Sequence, residues 1–472
     1  MIEKIIDGTN TALYSYILII LLVLGGIYFT IRTRFAQFRL LGQQFKSVME
    51  KSDKNSVSSF QALMVSTASR VGTGNIIGVA TALCVGGFGS VFWMWVIALI
   101  GAASAFVEST LAQIYKKRSN EGCYGGPAYY IQAAMKKRWL AVVFSVFLIL
   151  TYGVGFNMLA SYNLQSTFSS YSFYNASYTP WIIGFVIAAL VGYCLIGGGK
   201  RIVSVTTFIV PIMGGVYILV ALVLSVINIQ VIPGVFREIF RGAFDVKAIF
   251  GGFGGSCVMY GIKRGLFSNE AGVGSAPNAS ASAEVSHPAK QGLVQVLSVF
   301  IDTLLVCSAT AFMCMSSGIT PPTDSDHAAE YVQQSLSATL GAAGPIFITV
   351  AMVFFAFTTL LGNLFYVDKT INYLAGREPS KRVRNIYYVI ASLVIFVGAG
   401  LNADLLWGIA DILMGGMTLI NMPVILYLGK YAIRALQDYE KQLKTGKEIT
   451  FRAKDIGLPH ETDYWNEPQK NP

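Results

Sequence analysis

The sequence predicts an all-α polytopic membrane protein, and three observations support this fold class. The chain of 472 residues is 54% hydrophobic and only 13% charged, whereas soluble proteins carry about 25% charged residues. Long apolar segments recur along the whole chain. Two of these segments are interrupted by clusters of glycine. Together these features exclude a soluble multidomain enzyme.

Eleven transmembrane helices are predicted. About 20 apolar residues cross a bilayer as a helix, and the sequence contains eleven segments that satisfy this length. They are residues 13–31, 58–85, 88–115, 139–163, 180–197, 203–229, 246–283, 289–317, 343–374, 384–400 and 404–429. The first is expected to be a retained helix, because its N-terminal flank has no strong positive charge while Arg32 and Arg34 follow it directly.

The orientation follows from lysine and arginine, which are enriched in cytoplasmic loops. The linker after the first span is basic, as are the loops after the third, fifth and ninth spans and the tail after Lys430. The loop with Asp324, Asp326 and Glu330 contains no lysine or arginine. We therefore expect an N-terminus outside and a cytoplasmic C-terminus in the cell (inner) membrane.

Composition also argues against several functions. The net charge is +10, but the basic residues lie between apolar segments, so no nucleic-acid partner is expected. The six cysteines form no CxxC pair and the three histidines lie in loops or the tail. The apolar segments contain no metal-ligand spacing and no Ser/His pair, so we expect neither an intramembrane enzyme nor an organic cofactor.

The two interrupted segments are the most informative feature. The first, STASRVGTGNIIGV (Ser66–Val79), has Gly72, Gly74 and Gly78 within seven residues. The second, GGFGGSCVMYGIKRG, is Gly251–Gly265. Non-helical backbone at membrane depth is tolerated only against protein or a water-filled cavity. The glycines either form such breaks or allow helices to pack closely.

The positions of the two segments predict an inverted repeat. Each opens a group of five spans, and because five is odd the two groups have opposite orientations. Interrupted helices at corresponding places in inverted halves indicate the binding site of a secondary transporter. The predicted division is 1–57, an N-terminal helix with a basic cytoplasmic linker; 58–229, the first five-helix repeat; 230–430, the second; and 431–472, a solvated cytoplasmic tail.

The first break offers two kinds of backbone group. The half-helix that begins near Gly74 presents unpaired N–H groups and a positive dipole end, which suit a carboxylate. The half-helix that ends at Ala68–Val71 presents unpaired carbonyls, which suit a small cation such as Na⁺. Asn75 can bond the local backbone. A channel would usually need symmetric subunits or a charged ring, so the paired breaks favour a transporter over a channel.

Several blocks resemble one known family. GGFGSVFWMWVIALIG (Gly86–Gly101) resembles the signature of the sodium:alanine symporter family, also called alanine or glycine:cation symporters. VGTGN, GGPAYYI, GLFSNEAGVGSAP and FTTLLGN resemble further blocks, and the likeness runs from about residue 13 to 430. The resemblance implies a fold similar to LeuT, with ten core helices in two inverted repeats after one extra helix. It also implies Na⁺-driven uptake of small neutral amino acids such as alanine and glycine by alternating access.

The resemblance implies a cation site as well. The carbonyls of Ala68 and Val71 would hold Na⁺, the coupling ion, together with the hydroxyls of Thr358 and Thr359. The alternative for the two threonines is a hydrogen bond back to their own helix.

The resemblance also implies a substrate site. Thr73, Gly74 and Asn75 would contact the amino-acid carboxylate, and Phe267 with a loosened backbone near Gly265 would close the other side. Members of the family often carry an Asn-x-x-Gln run in the fourth span. This chain keeps the asparagine as Asn157 but has alanine where the glutamine would lie, so its substrate preference can differ.

Charged residues at membrane depth are functional candidates, since each needs a partner. We interpret Arg70 as structural or gating, with Glu108 or Glu270 as a partner. A proton-coupled symporter is the alternative function, with the carboxylates of Asp302, Asp368 and Asp411 as candidates. Asp368 is expected to pair with Lys369 or Arg377. The span 203–229 contains no lysine, and proton-coupled relatives of the LeuT fold can place one there, which favours Na⁺.

The expected partners are a small neutral amino acid, Na⁺ and the lipid bilayer, and a monomer is expected to suffice for transport.

Overall fold

A computed structural model describes residues 2–50, 56–119, 122–245, 257–376, 379–446, 448–459 and 461–467. The described chain is a helical bundle with one small hairpin, which confirms the all-α class. The helices are α1 (Ile2–Ala12), α2 (Leu18–Arg32), α3 (Ala36–Arg39), α4 (Leu41–Val48), α5 (Ser59–Arg70), α6 (Val79–Gly86), α7 (Gly89–Ile114), α8 (Pro127–Met135), α9 (Arg138–Leu148), α10 (Phe156–Ser166), α11 (Thr179–Ile196), α12 (Gly198–Ile227), α13 (Ile232–Phe244), α14 (Cys257–Asn269), α15 (Pro277–Ser280), α16 (Pro288–Val299), α17 (Ser308–Met315), α18 (Ala328–Leu340), α19 (Ala343–Ala375), α20 (Lys381–Gly398) and α21 (Ala403–Thr445).

Short segments of other geometry complete the chain. Wider π-helical turns join consecutive helices at Leu13–Ile17, Gly74–Gly78, Ile149–Gly155 and Phe300–Cys307. Strands β1 (Lys117–Ser119) and β2 (Gly122–Tyr124) pair antiparallel, and a 3₁₀ turn covers Ala453–Ile456.

The described helices confirm a polytopic membrane protein. Eight helical stretches within the described residues are long and apolar enough to cross a membrane, and a ninth forms if α5 and Gly74–Gly86, bent by 52°, count as one span. Two of the eleven predicted spans are not among these nine. The segment 246–283 lies partly outside the described residues, and α20 is 18 residues long but is not among the nine.

Helix α7 lies at the centre of the bundle, where it packs against α2, α14 and α16. Every residue from Gly101 to Ile114 is buried. Glycines on the neighbouring helices allow this close approach: a Cβ on Gly261 would lie 2.5 Å from the carbonyl oxygen of Ser90, and one on Gly292 would lie 2.2 Å from Thr110 Oγ1. Small residues at helix contacts serve this purpose in membranes, where packing rather than water exclusion drives association.

The outer helices expose apolar side chains. On α11, α12 and α20, the exposed fractions of Phe185, Phe208 and Val389 are 66%, 71% and 60%. Such faces suit the hydrocarbon of a bilayer, whereas a soluble protein would bury them.

The first predicted break is confirmed. Helix α5 begins with a capping box between Ser58 and Gln61 and ends at Arg70, after which Val71 has ψ 89°. This value is outside the helical range. The chain then resumes as a π-helical turn that leads into α6, inside the predicted segment.

The second predicted break is not found in the described part of its segment, and a different break follows α14. Gly251–Gly265 lies partly outside the described residues, but α14 is continuous from Cys257 to Asn269, so the expectation of a loosened backbone near Gly265 is wrong. A Cβ on Gly265 would lie 2.7 Å from Ile97 Cγ2, so this glycine allows α14 to pack on α7. The helix instead ends at Glu270, Gly272 and Gly274, whose φ values are 53°, 86° and 91°.

The tail after α21 is folded onto the bundle, so the expectation of a solvated extension is wrong for its described part. Trp465 is fully buried, and its indole N–H donates to the carbonyl oxygen of Gln113 at 2.7 Å. The ammonium of Lys116 lies 3.9 Å from the ring centre of Tyr464, and burial lowers the pKa of Lys116 to about 8. Although the tail lacks a run long enough to span a membrane, a few aromatic side chains suffice to dock it.

Candidate functional site

The candidate site lies at the first break, where Asn75 replaces lost helical hydrogen bonds. Its Oδ1 accepts from the backbone N–H of Gly72 at 2.8 Å, which confirms the expected local bond. Its Nδ2 donates to Ser268 Oγ at 3.0 Å and to Asp302 Oδ1 at 2.7 Å. One buried amide therefore ties the break to α14 and to the π-helical turn after α16.

The break also meets α19. The hydroxyl of Thr359 donates to the carbonyl oxygen of Ala68 at 3.1 Å. A Cβ on Gly72 would lie 1.9 Å from Thr359 Oγ1, so only glycine permits this approach. Two of the four predicted cation ligands are thus in direct contact across the two halves of the chain.

The other two predicted cation ligands are placed differently. Thr358 donates its hydroxyl to the carbonyl oxygens of Phe354 at 2.9 Å and Phe355 at 3.2 Å, as the alternative interpretation of this residue anticipated. Val71 is the residue whose ψ leaves the helical range, so its carbonyl departs from the helical ladder.

Aromatic rings cover the break from the side of α14. A Cβ on Gly74 would lie 2.7 Å from Phe267 Cε1, so glycine lets this ring rest on the backbone. The ring of Phe267 lies 4.5 Å from that of Phe156 and 4.9 Å from that of Trp407, centre to centre. Phe267 therefore sits beside Gly74, while Gly265 faces α7.

Two buried amides on α10 have polar atoms without a partner among the described residues. Asn157 Oδ1 accepts from Asn363 at 3.0 Å, but its Nδ2 is unpaired. Asn163 Nδ2 donates to Thr73 Oγ1 at 3.2 Å, but its Oδ1 is unpaired. The pair leaves one donor for a carboxylate and one acceptor for an ammonium group.

A buried carboxylate completes the network. Asp302 accepts from Asn75 at 2.7 Å, from Ser268 at 2.9 and 2.7 Å and from Thr303 at 2.7 Å.

Sequence reasoning missed Ser268 and Asn163. Ser268 directly follows Phe267 in the block GLFSNEAGVGSAP, and that position was the available signal.

Within the described residues, Arg70 makes no hydrogen bond to this network. Its Nη1 donates to Gln295 Oε1 at 2.9 Å. Among the described residues no carboxylate lies within 4.0 Å of it, so Arg70 forms no direct ion pair with Glu108 or Glu270, although its charge acts on both carboxylates. Glu108 instead accepts from Asn421 at 2.8 Å, and Glu270 from Ser69 at 2.9 Å. Neutral donors satisfy both carboxylates.

A second charged cluster lines a cavity of about 510 Å³ near Trp407. Asp411 Oδ2 lies 2.7 Å from Lys263 Nζ and 3.2 Å from Arg264 Nη2. The guanidinium of Arg264 stacks 3.9 Å from a ring centre of Trp407, which in turn contacts Phe267.

The predicted pairing of Asp368 with Lys369 is confirmed at 3.7 Å.

The fold and the site define a class: a polytopic helical membrane protein with an interrupted helix at a buried polar site, as in secondary transporters. Residues 1–453 match the model of the sodium:alanine symporter family, and the chain belongs to that family. This confirms the family resemblance. Because the family consists of symporters, the chain is a transporter and not an enzyme.

Relatives cover almost the whole chain. It is 42% identical over 470 residues to "Amino-acid carrier protein AlsT" of Bacillus subtilis, covering 99% of both chains. It is 41% identical over 465 residues to "Probable sodium/glutamine symporter GlnT" of the same organism, covering 98% of this chain and 95% of that protein. It is 37% identical over 441 residues to "Sodium/proton-dependent alanine carrier protein" of Bacillus sp. (strain PS3), covering 89% of this chain and 96% of that protein.

Proposed function

We propose that this protein couples inward Na⁺ movement to uptake of a small neutral amino acid, alanine or glycine, by alternating access. The observation that carries the proposal is the contact between the Ala68 carbonyl and the Thr359 hydroxyl. It joins a broken helix of the first half to a helix of the second. Motion of one half against the other would open and close this junction, which is how ion binding can be linked to the state of the carrier.

The architecture is part of the proposal. We assign eleven transmembrane helices: one N-terminal helix, then a LeuT-like core of two inverted five-helix repeats at 58–229 and 230–430. The N-terminus lies outside and the C-terminus in the cytoplasm of the cell membrane. The bent pair formed by α5 and Gly74–Gly86 supports the first repeat. The left-handed residues after α14 support a matching break in the second.

The proposed cation ligands are the carbonyls of Ala68 and Val71 and the hydroxyls of Thr358 and Thr359. The hydroxyl of Thr358 donates its hydrogen bond to the carbonyl oxygen of Phe354 on its own helix. Its oxygen lone pairs remain able to bind a cation, because a hydroxyl donates one hydrogen bond and accepts two.

The proposed substrate contacts surround the first break. Backbone N–H groups near Thr73, Gly74 and Asn75 would meet the carboxylate, with the unpaired Nδ2 of Asn157 as a further donor. The unpaired Oδ1 of Asn163 would accept from the ammonium group. Phe267 would cover the substrate from above Gly74, and Gly265 would act only indirectly, by seating α14 on α7.

Uptake of labelled alanine into proteoliposomes tests the coupling. An inward Na⁺ gradient is compared with a matched K⁺ gradient plus a pH step. We expect uptake with Na⁺ alone, and we expect Thr359→Ala to raise the half-saturating Na⁺ concentration at least ten-fold. Thr370→Ala is the matched control, since Thr370 lies buried on the same helix and, among the described residues, its hydroxyl bonds only the helix backbone at Tyr366. Equal effects of the two substitutions would contradict the cation site.

A substitution on α10 tests the substrate site. Asn157→Ala removes a buried donor, and hydrogen bonds to charged groups contribute about 1.5–3 kcal/mol. We therefore expect the KM for alanine to rise about ten-fold or more while the half-saturating Na⁺ concentration changes little. Unchanged alanine uptake would remove Asn157 from the site. Competition by glycine, serine and glutamine in the same assay defines the substrate range.

A proton-coupled symporter is the second candidate, favoured by the buried carboxylate of Asp302 beside the break. In that case the pH step alone would drive uptake, and Asp302→Asn would abolish the effect of pH while leaving binding of alanine measurable.

A further inference from the structure

A cavity of about 470 Å³ lies far from the transport site, between the β1–β2 hairpin, α8, the start of α9 and the end of α19. It is lined by Tyr373, which follows Thr359 on α19 by fourteen residues. At a rise of 1.5 Å per residue this is a separation of about 21 Å. None of the transport residues described above lines this cavity.

Its charged lining is entirely basic within the described residues. Lys117, Arg138 and Lys369 line it, and none of the described lining residues is acidic. Among the described residues, Lys117 pairs with Asp463 of the docked tail at 3.2 Å, and Lys369 pairs with Asp368 at 3.7 Å. Arg138 has no carboxylate within 4.0 Å in the described chain. Within the described residues, the cavity thus presents three cations and two peripheral anions.

Tyr129 gives a second, independent indication of a ligand. It lines the cavity and is 7% exposed, and its hydroxyl has no hydrogen-bond partner among the described residues. The rings of Tyr124 and Tyr373, 5.5 and 5.0 Å away, hold its ring in place. Asn372, which also lines the cavity, has a buried Oδ1 without a described partner. Buried polar groups are normally hydrogen-bonded, so a donor and an acceptor without described partners lie in the wall of the cavity.

The cavity lies next to a lipid-facing surface. Arg138 is the first residue of α9, and the following residues Trp139, Val143 and Val146 are 65%, 38% and 44% exposed. An exposed tryptophan at a helix end is typical of the membrane–water interface. A ligand could therefore reach the cavity from the headgroup layer.

We propose that this cavity binds a phosphate ester, namely the headgroup of an anionic glycerophospholipid. Arg138 and Lys369 would contact the phosphate and Tyr129 would donate its hydroxyl to it. The unpaired Oδ1 of Asn372 would accept from a glycerol hydroxyl. Basic pockets between transmembrane helices bind anionic headgroups in this way. A soluble phosphate has the same charge and acceptors, but it would not need the exposed apolar surface beside the cavity.

Native mass spectrometry of the full-length protein, purified in detergent with added phosphatidylglycerol, tests the proposal. We expect wild type to retain lipid and the double variant Arg138→Gln, Lys369→Gln to retain at least five-fold less. The matched control is Lys136→Gln, Lys137→Gln, which removes two neighbouring exposed cations that do not line the cavity. The control should retain lipid as wild type does.

A thermal-shift measurement with 10 mM inorganic phosphate separates the two sources of phosphate. Stabilisation of wild type and control, but not of the double variant, without retained lipid would support the site and make its ligand soluble. Equal lipid retention in all three proteins with no selective effect of phosphate would overturn the proposal.

Tyr129→Phe keeps the test valid if the double variant does not fold. This change removes only an unpaired hydroxyl, so the melting temperature of the lipid-free protein should not fall. Retained phosphatidylglycerol should fall at least two-fold. A merely structural role for Tyr129 predicts the reverse pattern, with lower stability and unchanged lipid, and that result would overturn the assignment.

Discussion

At the residue scale, the site depends on where side chains are absent as much as on where they are present. Gly72 lets Thr359 reach the Ala68 carbonyl, and Gly74 lets the Phe267 ring rest on the backbone. Asn75 then supplies the hydrogen bond that the break removes from the Gly72 N–H. The two glycines and the asparagine are therefore complementary parts of one local structure.

Gly72→Ala tests this dependence. The added Cβ would lie 1.9 Å from Thr359 Oγ1, and overpacking of a filled interior costs about 1–3 kcal/mol. We expect alanine uptake to fall more than ten-fold while the protein still folds and inserts. The measurement is uptake in proteoliposomes, normalised to reconstituted protein.

Gly214→Ala is the control for Gly72→Ala. Gly214 lies in α12, and a Cβ there would meet nothing within 4 Å, so activity should be retained. Wild-type uptake by Gly72→Ala would show that α5 and α19 do not need this close contact.

At the element scale, the two breaks show when a break in a helix can be predicted from the glycines in its sequence. VGTGN was predictable because several glycines and an asparagine fall together in an apolar run. The expectation of a break near Gly265 was wrong because Gly261 and Gly265 serve packing against α7, and a packing glycine looks the same in a sequence as a conformational one. The break that the structure describes after α14 includes Glu270, a residue type that rarely adopts positive φ.

The docked tail is the other element that the sequence did not predict. Its attachment rests on Trp465, Tyr464 and Phe451, three aromatic residues in a polar segment. Periodic patterns of apolar residues cannot predict such a contact, because the three aromatic residues are isolated in the sequence and form no repeating pattern.

Trp465→Ala should release this tail. Truncation of a buried tryptophan costs about 3–5 kcal/mol, and the indole hydrogen bond to Gln113 is lost with it. We expect hydrogen exchange in residues 461–467 to rise at least ten-fold and limited proteolysis to cut there. The bundle should keep its melting temperature within a few degrees.

Trp139→Ala is the comparison for the tail, since Trp139 is 65% exposed. This variant should leave exchange in the tail unchanged. Protection of the tail in Trp465→Ala would mean that other contacts, such as that between Lys117 and Asp463, hold it.

At the scale of the whole molecule, composition predicted the class while single residues decided the site. Apolar content and span length predicted a polytopic helical protein, and short sequence blocks such as VGTGN predicted the family. The network of Asn75, Ser268 and Asp302 could not be predicted as a unit, because it joins three helical segments distant in the chain, and one sequence does not show which faces meet.

The orientation of the molecule is open to a direct test. All six cysteines in the chain are buried, so new cysteines can be labelled against a low background. We expect Asp326→Cys to react with a membrane-impermeant maleimide on intact cells, and Lys441→Cys to react only after permeabilisation. Both positions are exposed. The opposite pattern would reverse the assigned topology.

The close approach at Gly72 also bears on how this carrier can evolve. Every missense change of a glycine codon adds at least a β-carbon, so no such mutation leaves the contact with Thr359 intact. The wall formed by α10 carries ordinary side chains, such as Asn157 and Ala160, that single mutations can exchange without this conflict. We therefore expect new substrate preferences to arise through mutations in α10, while the proposed ion-coupling contact between Gly72 and Thr359 stays unchanged.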